Sequence, residues 1–358
     1  MSIIERFNIG MVLSGVVAAG FSWGLISTQH LHGRHSLDIA VGPQKFHSDP
    51  TLRIGGLAIF IALVAGYFFS SEPVSQLLGK MLVAGLPAFA AGLTEDLTKR
   101  VSVVKRLSAT FLSALLAWWL TGYALSHLAV WGLDALLRYL PLSVLFTSFA
   151  VAGVANSVNI IDGFNGLASG SVMIALIAIG IMAFDADDLT LFEVCLTVAT
   201  VIAGFMLFNF PFGKIFMGDG GAYLLGYLLA WIAVMLPARN PEVSVWAPLL
   251  ACAYPINETI FTMARRFFRK DSLGQPDSAH LHSLIKIMIV RRHFSELSPW
   301  MRNSIVSPFC WAYAAIFAAA GVVLYKQTAL LMLTWAASFV VYALLYTLVN
   351  RYKGADSK

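Results

Sequence analysis

A glycine-rich turn, FMGDGGAYLLG at residues 216–226, places Asp219 just where an apolar segment begins. The preceding FNFPFGK breaks any helix before it, and it contains Asn209, a candidate substrate ligand. A carboxylate beside backbone N–H groups at a helix start suits a divalent cation and a phosphate together. The turn therefore predicts a metal site at Asp219, with N-capping of the helix as the alternative.

A second candidate is the acidic pair Glu95 and Asp96, in AGLTEDLTKRVSVVKRL at residues 91–107. Adjacent carboxylates at a membrane boundary are costly unless they bind a cation or pair with bases. Catalytic or metal use and local ion pairing both fit this segment. The four cations that follow include Lys105, a candidate contact for an anionic substrate.

Three polar side chains recur at spacings of three in NSVNIIDGFNGLASG, residues 156–170. On a helical turn this spacing puts Asn156, Asn159 and Asp162 on nearly one face. A polar loop with helix caps is the alternative to a ligand pocket. The density of amides and carboxylates next to apolar segments favours the pocket, because polar groups at membrane depth are usually functional.

Two further loops are basic. GPQKFHSDPTLRIGGLAIF at residues 42–60 contains Lys45 and also fits an ordinary positively charged loop. The long loop 264–303 contains His280 and His282, whose spacing excludes a shared helix face and lacks the usual pattern of zinc ligands. This loop favours recognition of an anionic ligand over zinc, with a solvated basic loop as the alternative.

These motifs lie between long apolar segments. The chain of 358 residues is 58% hydrophobic and 12% charged, against about 25% charged in soluble domains. Apolar runs long enough to cross a hydrocarbon core of about 30 Å recur throughout. We predict an all-α polytopic membrane protein forming a single domain, 1–358. Its expected spans number eleven: 8–27, 53–71, 77–94, 107–125, 141–158, 167–184, 189–208, 221–237, 243–263, 304–324 and 328–348. Segment 131–139 before the fifth span is expected to be interfacial, and Glu258, near the inner end of the ninth, fits a structural or a functional role.

Charge distribution predicts the orientation. With the N-terminus outside and the C-terminus cytoplasmic, 19 of the 24 Lys and Arg residues fall on the cytoplasmic side and five outside. All the motifs then lie on the cytoplasmic face. The net charge of +5 does not indicate nucleic acid binding, because no basic helix or aromatic stacking platform accompanies it. The three cysteines lie inside predicted spans without the spacing of a disulfide framework.

Taken together, segments 42–60, 91–107, 156–170, 209–226, 255–259 and 276–285 resemble the polyprenyl-phosphate N-acetylhexosamine-1-phosphate transferases of glycosyltransferase family 4. Phospho-MurNAc-pentapeptide translocase is a sister branch. The resemblance implies transfer of a sugar 1-phosphate from a UDP-N-acetylhexosamine to undecaprenyl phosphate, with release of UMP. It also implies a role in starting an O-antigen-type envelope polysaccharide at the cytoplasmic face of the bacterial inner membrane.

The resemblance also implies Mg²⁺ or Mn²⁺ as cofactor, bound by Asp219. It places the acidic pair near the phosphates and the NxxNxxDG element in the same polar pocket. The histidine loop, as a substrate-recognition insertion over 264–303, faces the nucleotide sugar. The expected partners are undecaprenyl phosphate, the UDP-sugar and the bilayer, with a homodimer left open. The implied catalytic residues are Glu95, Asp96 and Asp162, with Asp96 as base, and the implied substrate ligands are Lys45, Lys105, Asn156, Asn159, Asn209, His280 and His282.

Single and double displacement both remain open from the sequence. DGFNG, with Asn165 where the translocase branch has a second aspartate, disfavours the muramyl-pentapeptide substrate. The acidic pair is Glu-Asp here rather than Asp-Asp, and Ser283 replaces an adjacent histidine. The competing class is a membrane transporter of an anionic substrate, which predicts ionisable groups at mid-membrane instead of at one face.

Overall fold

The computed structural model describes residues 9–38, 50–270, 277 and 279–351. Nearly all of this is helix, which confirms the all-α class. The helices in chain order are α1 Ile9–Ser27, α2 Gln29–Ser36, α3 Gly55–Phe69, α4 Glu72–Thr98, α5 Val103–Thr121, α6 Leu133–Leu137, α7 Leu140–Ile161, α8 Leu167–Asp185, α9 Leu189–Asn209, α10 Gly218–Arg239, α11 Trp246–Ala251, α12 Ala253–Arg269, α13 Leu281–Ile285, α14 Arg291–His293, α15 Pro299–Ser304, α16 Val306–Leu324 and α17 Thr328–Arg351. A π-helical turn, Lys286–Val290, joins α13 to α14. Strands β1 Leu37–Asp38 and β2 Thr51–Leu52 pair antiparallel, with Leu37 opposite Leu52.

Nine helices in the described part of the chain are long and apolar enough to cross a membrane, which confirms a polytopic protein. They account for nine of the eleven expected spans. The second expected span is the shorter helix α3, of 15 residues. The ninth is divided at Cys252 into α11, of 6 residues, and α12, of 17 residues. The interfacial segment forms the short helix α6, and Trp131 just before it is fully exposed.

Helix α10 forms the centre of the bundle. Of its most apolar window 83% is buried, against 17% for α17 at the periphery. It packs against α4, α7 and α3. Large apolar side chains on the outer helices, such as Trp119 and Phe149, are exposed. In a bilayer such side chains contact lipid without cost, because lipid tails are as apolar as they are.

Glycines allow the close approach of α3 and α4 to the start of α10. A Cβ on Gly56 would lie 2.2 Å from the nitrogen of Gly221, and one on Gly92 would lie 2.5 Å from the carbonyl oxygen of Asp219. Gly218, the first residue of α10, has φ +71°, a conformation that side chains disfavour. The glycines therefore bring the ends of three helices together at Asp219.

Candidate active site

The start of α10 is held against the segment that leads into α3 by backbone hydrogen bonds. The N–H of Phe216 donates to the carbonyl of Leu52 (2.7 Å), and the N–H of Gly55 donates to the carbonyl of Phe216 (2.9 Å). Leu52 and Ile215 also form a parallel bridge. These bonds place Arg53, which lies between the bonded residues, beside the glycine-rich turn.

The first N–H groups of α10 are occupied by carboxylates of the protein. Asp96 accepts from the N–H of Asp219 (2.9 Å) and from that of Gly220 (2.8 Å). Asp162 accepts from the N–H of Gly218. In the structure these N–H groups are paired with two side-chain carboxylates, because unpaired N–H groups at a helix N-terminus attract the nearest anions. Their contact with a phosphate stays a prediction.

The Asp219 carboxylate lies at the centre of the polar cluster. Its Oδ1 accepts from Arg53 Nη2 (2.6 Å) and from Asn159 Nδ2 (2.9 Å). Its Oδ2 forms an ion pair with Arg106 without hydrogen-bond geometry. The Asp219 side chain is 4% exposed, whereas that of Arg53 is 26% exposed and gives the cluster contact with solvent. The convergence of the three aspartates expected from the sequence is confirmed.

Asn156 joins the same cluster through α10. Its Oδ1 accepts from the hydroxyl of Tyr223 (3.1 Å), and the guanidinium of Arg106 lies 5.5 Å from the centre of the Tyr223 ring. Because Tyr223 is fully buried, this contact sets the position of the Asn156 amide. Asn156 and Asn159 thus approach the N-terminus of α10 from the last turns of α7.

Asp162 follows α7 directly and carries a perturbed carboxyl group. Although the residue as a whole is partly exposed, its carboxyl group is withdrawn from solvent. This desolvation raises the pKa of Asp162 to about 7, against the opposing effects of Arg53 and the N–H of Gly218. Asp162 can therefore hold or release a proton near neutral pH.

Two other predicted site residues, Glu95 and Lys105, lie outside the cluster. Glu95 Oε2 accepts from the N–H of Val101 (2.6 Å) and so closes the turn between α4 and α5. Lys105 is exposed, and its N–H is capped by Ser102 Oγ (3.4 Å). Lys45 lies outside the described residues. Their catalytic and binding roles stay predictions.

Asn209 is buried, and its side chain is used within the protein. Its Oδ1 accepts from the N–H of Gly166 (2.8 Å), and its Nδ2 donates to the carbonyl of Ile215 (2.8 Å). These bonds tie the end of α9 both to the loop after Asp162 and to the glycine-rich turn. The structure thus gives Asn209 a positioning role, and its predicted contact with substrate stays untested.

His280 and His282 form a second polar cluster around Glu258 of α12. His280 Nδ1 donates to Glu258 Oε1 (3.0 Å), while His282 Nδ1 lies 3.5 Å from Oε2 without hydrogen-bond geometry and 3.3 Å from the Tyr254 hydroxyl. The two imidazoles stack with ring centres 5.1 Å apart. His282 also packs edge-on against Phe164, so the histidines border the loop that carries Asp162. Burial lowers the pKa of His282, against the effect of the Glu258 carboxylate.

The donor set of the aspartate cluster suits a hard divalent cation. Carboxylate and amide oxygens are the ligands preferred by Mg²⁺ and Mn²⁺. The described residues form no group of three side chains already spaced as metal ligands. Asp219 and Asp162 nevertheless bring two carboxylates to one helix start, with Asn159 beside them. The residues therefore fit a cation held by Asp219 in exchange for its arginine partners.

Sequence reasoning missed Arg53, Arg106 and Tyr223 as members of the site. Arg53 and Arg106 were visible only as parts of basic loops. Tyr223 was visible only as one residue of an apolar segment. One sequence signal was available: Arg53 lies just before α3 and Arg106 lies in the first turn of α5, so both arginines are close to helix starts. Glu258 likewise gains a role only when α12 meets the histidine loop.

Comparisons with known proteins show what this chain is similar to. Residues 78–237 match the family described as Glycosyl transferase family 4, and this segment includes all three clustered aspartates. The chain is similar to a "Probable undecaprenyl-phosphate N-acetylglucosaminyl 1-phosphate transferase" of Bacillus subtilis, with 26% identity over 84% of this chain and 80% of the relative.

Two further relatives cover less of the chain. An "Undecaprenyl-phosphate alpha-N-acetylglucosaminyl 1-phosphate transferase" of Yersinia pestis is 26% identical over 68% of this chain and 67% of its own length. A "Phospho-N-acetylmuramoyl-pentapeptide-transferase" of Streptococcus thermophilus is 40% identical over 34% of each chain. The long similarities are thus to N-acetylglucosaminyl 1-phosphate transferases, and the short one is to the sister branch.

Proposed function

We propose, from the premise that this chain belongs to glycosyl transferase family 4, that it transfers a sugar 1-phosphate from a UDP-N-acetylhexosamine to undecaprenyl phosphate. An oxygen of the acceptor phosphate attacks the phosphorus attached to the sugar. The bond to the oxygen bridging the two donor phosphates breaks, and UMP leaves. The product is an undecaprenyl diphosphosugar that starts an O-antigen-type polysaccharide.

The convergence of Asp96, Asp162 and Asp219 with two arginines at one end of the bundle carries this proposal. Two anions must approach each other in the reaction, so positive charge must offset their repulsion. Arg53 and Arg106 are placed to bind phosphate oxygens once Asp219 holds the cation. Mg²⁺ or Mn²⁺, when bound by Asp219, would polarise the phosphoryl oxygens and neutralise charge on the leaving UMP.

We assign the role of base to Asp162 rather than to Asp96. Both oxygens of Asp96 are used by N–H groups of α10, so that carboxylate stabilises the helix start. Asp162 has a pKa near neutrality and can take the last proton of the acceptor phosphate. This assignment supports a direct displacement without a phospho-aspartate, because both oxygens of Asp96 are held by N–H groups of α10 and Asp219 is assigned to the cation.

The histidine cluster supports a place for the nucleotide sugar. It borders the Asp162 loop through Phe164 and belongs to the expected recognition loop 264–303. We propose that this loop faces the cytoplasm of a bacterial cell, at the inner membrane. A transporter of anionic substrates is disfavoured, because the buried carboxylates of the cluster gather at the ends of α4, α7 and α10 rather than at their middle.

Release of UMP tests the proposal directly. The purified full-length protein is incubated with Mg²⁺ or Mn²⁺, undecaprenyl phosphate and, in turn, several UDP-N-acetylhexosamines, and the nucleotides are separated by chromatography. We expect UMP with at least one donor, and only when the lipid acceptor is present. Absence of UMP with every donor would overturn the proposal, and UMP formed equally without acceptor would indicate hydrolysis instead.

A further inference from the structure

A cavity lies at the end of the bundle opposite to the aspartate cluster. Its volume is about 500 Å³, within the range of about 300–1,000 Å³ that is usual for small-molecule sites. Its walls come from segments 124–129, 237–245 and 326–328, which follow α5, end α10 and precede α17. Since Pro237 in its wall lies 18 residues after Asp219 on α10, the cavity lies about 27 Å from Asp219 at 1.5 Å per residue. It therefore takes no part in the proposed reaction.

The walls of this cavity carry charges of both signs. Glu242 and Lys326 are exposed and line it, together with the imidazole of His127. His127 Nδ1 is engaged by Asp134 at 2.9 Å. The Lys326 ammonium lies 5.1 Å from the centre of the Tyr325 ring. The carboxylate of Glu242 and this ammonium are thus suited to a ligand that carries both a cation and an anion.

An apolar groove of about 290 Å³ adjoins the cavity. The two share Leu125 and Val245, and the groove continues along the sides of α7 and α10. Its lining is apolar throughout and includes Phe146 and Trp246. A ligand that fills both spaces must have a charged head and a hydrocarbon chain.

Aromatic residues place the cavity at the level of lipid headgroups. Trp131 is fully exposed and Tyr139 is 67% exposed, and both flank α6 at this end of the bundle. Exposed Trp and Tyr residues gather at the boundary between hydrocarbon and water. The cavity thus lies where the headgroups of the adjoining leaflet would be.

We propose that the cavity binds a phospholipid with a zwitterionic ethanolamine headgroup. The phosphate contacts Lys326, the ammonium contacts Glu242, and one acyl chain enters the apolar groove beside Leu125. Phosphatidylglycerol lacks the cation for Glu242, and free phosphate lacks the chain. The site is a structural lipid site, independent of the proposed transferase reaction.

Native mass spectrometry of the full-length protein tests the headgroup. Delipidated protein in mild detergent is titrated with phosphatidylethanolamine or with phosphatidylglycerol of the same acyl chains. We expect at least tenfold tighter binding of phosphatidylethanolamine, lost in both Glu242→Gln and Lys326→Gln. Arg138→Gln, an exposed residue near α6 that does not line the cavity, is the matched control and should bind like the wild type. Equal binding of the two lipids, or unchanged binding in both cavity variants, would overturn the proposal.

Fluorescence tests the position of the acyl chain. Phosphatidylethanolamine with brominated acyl chains should quench Trp246, seen as a larger loss of fluorescence in the wild type than in Trp246→Phe. Equal loss in the two proteins would overturn the placement of the chain in the groove. Unfolding temperatures of all variants, which should stay near that of the wild type, show that each one is folded.

Discussion

The Asp219 carboxylate contacts both arginines of the site. A substitution that removes its charge but keeps its size therefore tests the role of the charge. Asp219→Asn keeps the size of the side chain but leaves Arg53 and Arg106 without their shared carboxylate. We expect UMP release to fall by at least about 100-fold, the order lost when one charge-stabilising group is removed. Mn²⁺ binding should fall with it. Asp185→Asn, an exposed aspartate at the end of α8, is the control and should keep full activity. An active, folded Asp219→Asn protein would remove this residue from the metal site.

Asp162 gives the site a dependence on pH. With a pKa of about 7 instead of about 3.9, this carboxyl group keeps its proton in the folded protein until near neutrality. The stability that the proton gives is present at low pH and is lost as the pH rises between these two values. Because the proton competes with a cation, Mn²⁺ affinity should fall as the pH falls below 7, by up to about tenfold per unit.

Electron paramagnetic resonance of Mn²⁺ between pH 5.5 and 8 measures this dependence. Asp162→Asn cannot lose a proton in this range, so its Mn²⁺ affinity should be weaker and nearly independent of pH. A slope in Asp162→Asn equal to that of the wild type would assign the titration to another group.

Glu258 is a positioning residue for the two histidines. Since a carboxylate only accepts, His280 must donate from Nδ1, which leaves its Nε2 for a ligand. Glu258→Gln removes the charge that raises the pKa of His282. We therefore expect the acid limb of the plot of UMP release rate against pH to shift to lower pH. The KM for the nucleotide sugar should rise about tenfold, the loss of one hydrogen bond to a charged group. Glu72→Gln, exposed at the start of α4, should change neither quantity. An unchanged pH profile in Glu258→Gln would contradict the positioning role.

Some site residues could be predicted from the sequence alone and others could not. Asp219, Asp162 and Asn159 could be found, because their polar side chains interrupt apolar segments within a few residues of a helix end. Arg53 and Arg106 could not, since their direction depends on the pairing of Leu52 with Ile215 and on the angle between α5 and α10. Asp96 could be found as a site residue, but its bonds to the N–H groups of α10 could not, because which carboxylate caps α10 is decided only in the folded bundle.

At the scale of elements, the contact of α4 with α10 is where packing controls the site. Gly92→Ala would put a methyl group 2.5 Å from the Asp219 carbonyl, which the two helices can relieve only by moving apart. We expect a loss of about 1–3 kcal/mol of stability, as for overpacked cores, and a loss of most activity. Gly153→Ala on α7 meets nothing within 4 Å and should be neutral or stabilising by up to about 1 kcal/mol. The unfolding temperature and the rate of UMP release are measured for both variants. Equal values for Gly92→Ala and Gly153→Ala would show that the contact of α4 with α10 does not control the site.

Helix boundaries show what hydrophobicity can and cannot predict. Long apolar runs such as that of α9 gave both the presence of the helix and nearly its bounds. The run 243–263 is also mostly apolar, yet its helix is interrupted at Cys252. Average hydrophobicity does not register such a break, and the second piece, α12, is the one that brings Glu258 to the histidine loop.

For the whole molecule, the arrangement of helix ends places all the clustered site residues on one side. The ends of α4 and α7 and the start of α10 meet at the aspartates, while the opposite end of α10 lines the charged cavity. A transferase needs this asymmetry, because a soluble nucleotide sugar must reach a phosphate at the membrane surface. The excess of Lys and Arg on the side of the aspartates predicts that this side is cytoplasmic.

Cysteine labelling tests this orientation in intact membranes. Cys195, Cys252 and Cys310 are buried, so the wild type supplies a low background. Lys105→Cys lies on the side of the aspartates and Arg138→Cys on the other, and both positions are exposed. A membrane-impermeant maleimide should label Arg138→Cys in right-side-out vesicles and Lys105→Cys only in inverted ones. The reverse pattern would place the aspartates outside the cell, where no cytoplasmic nucleotide sugar could reach them, and the transferase proposal would fail with the orientation.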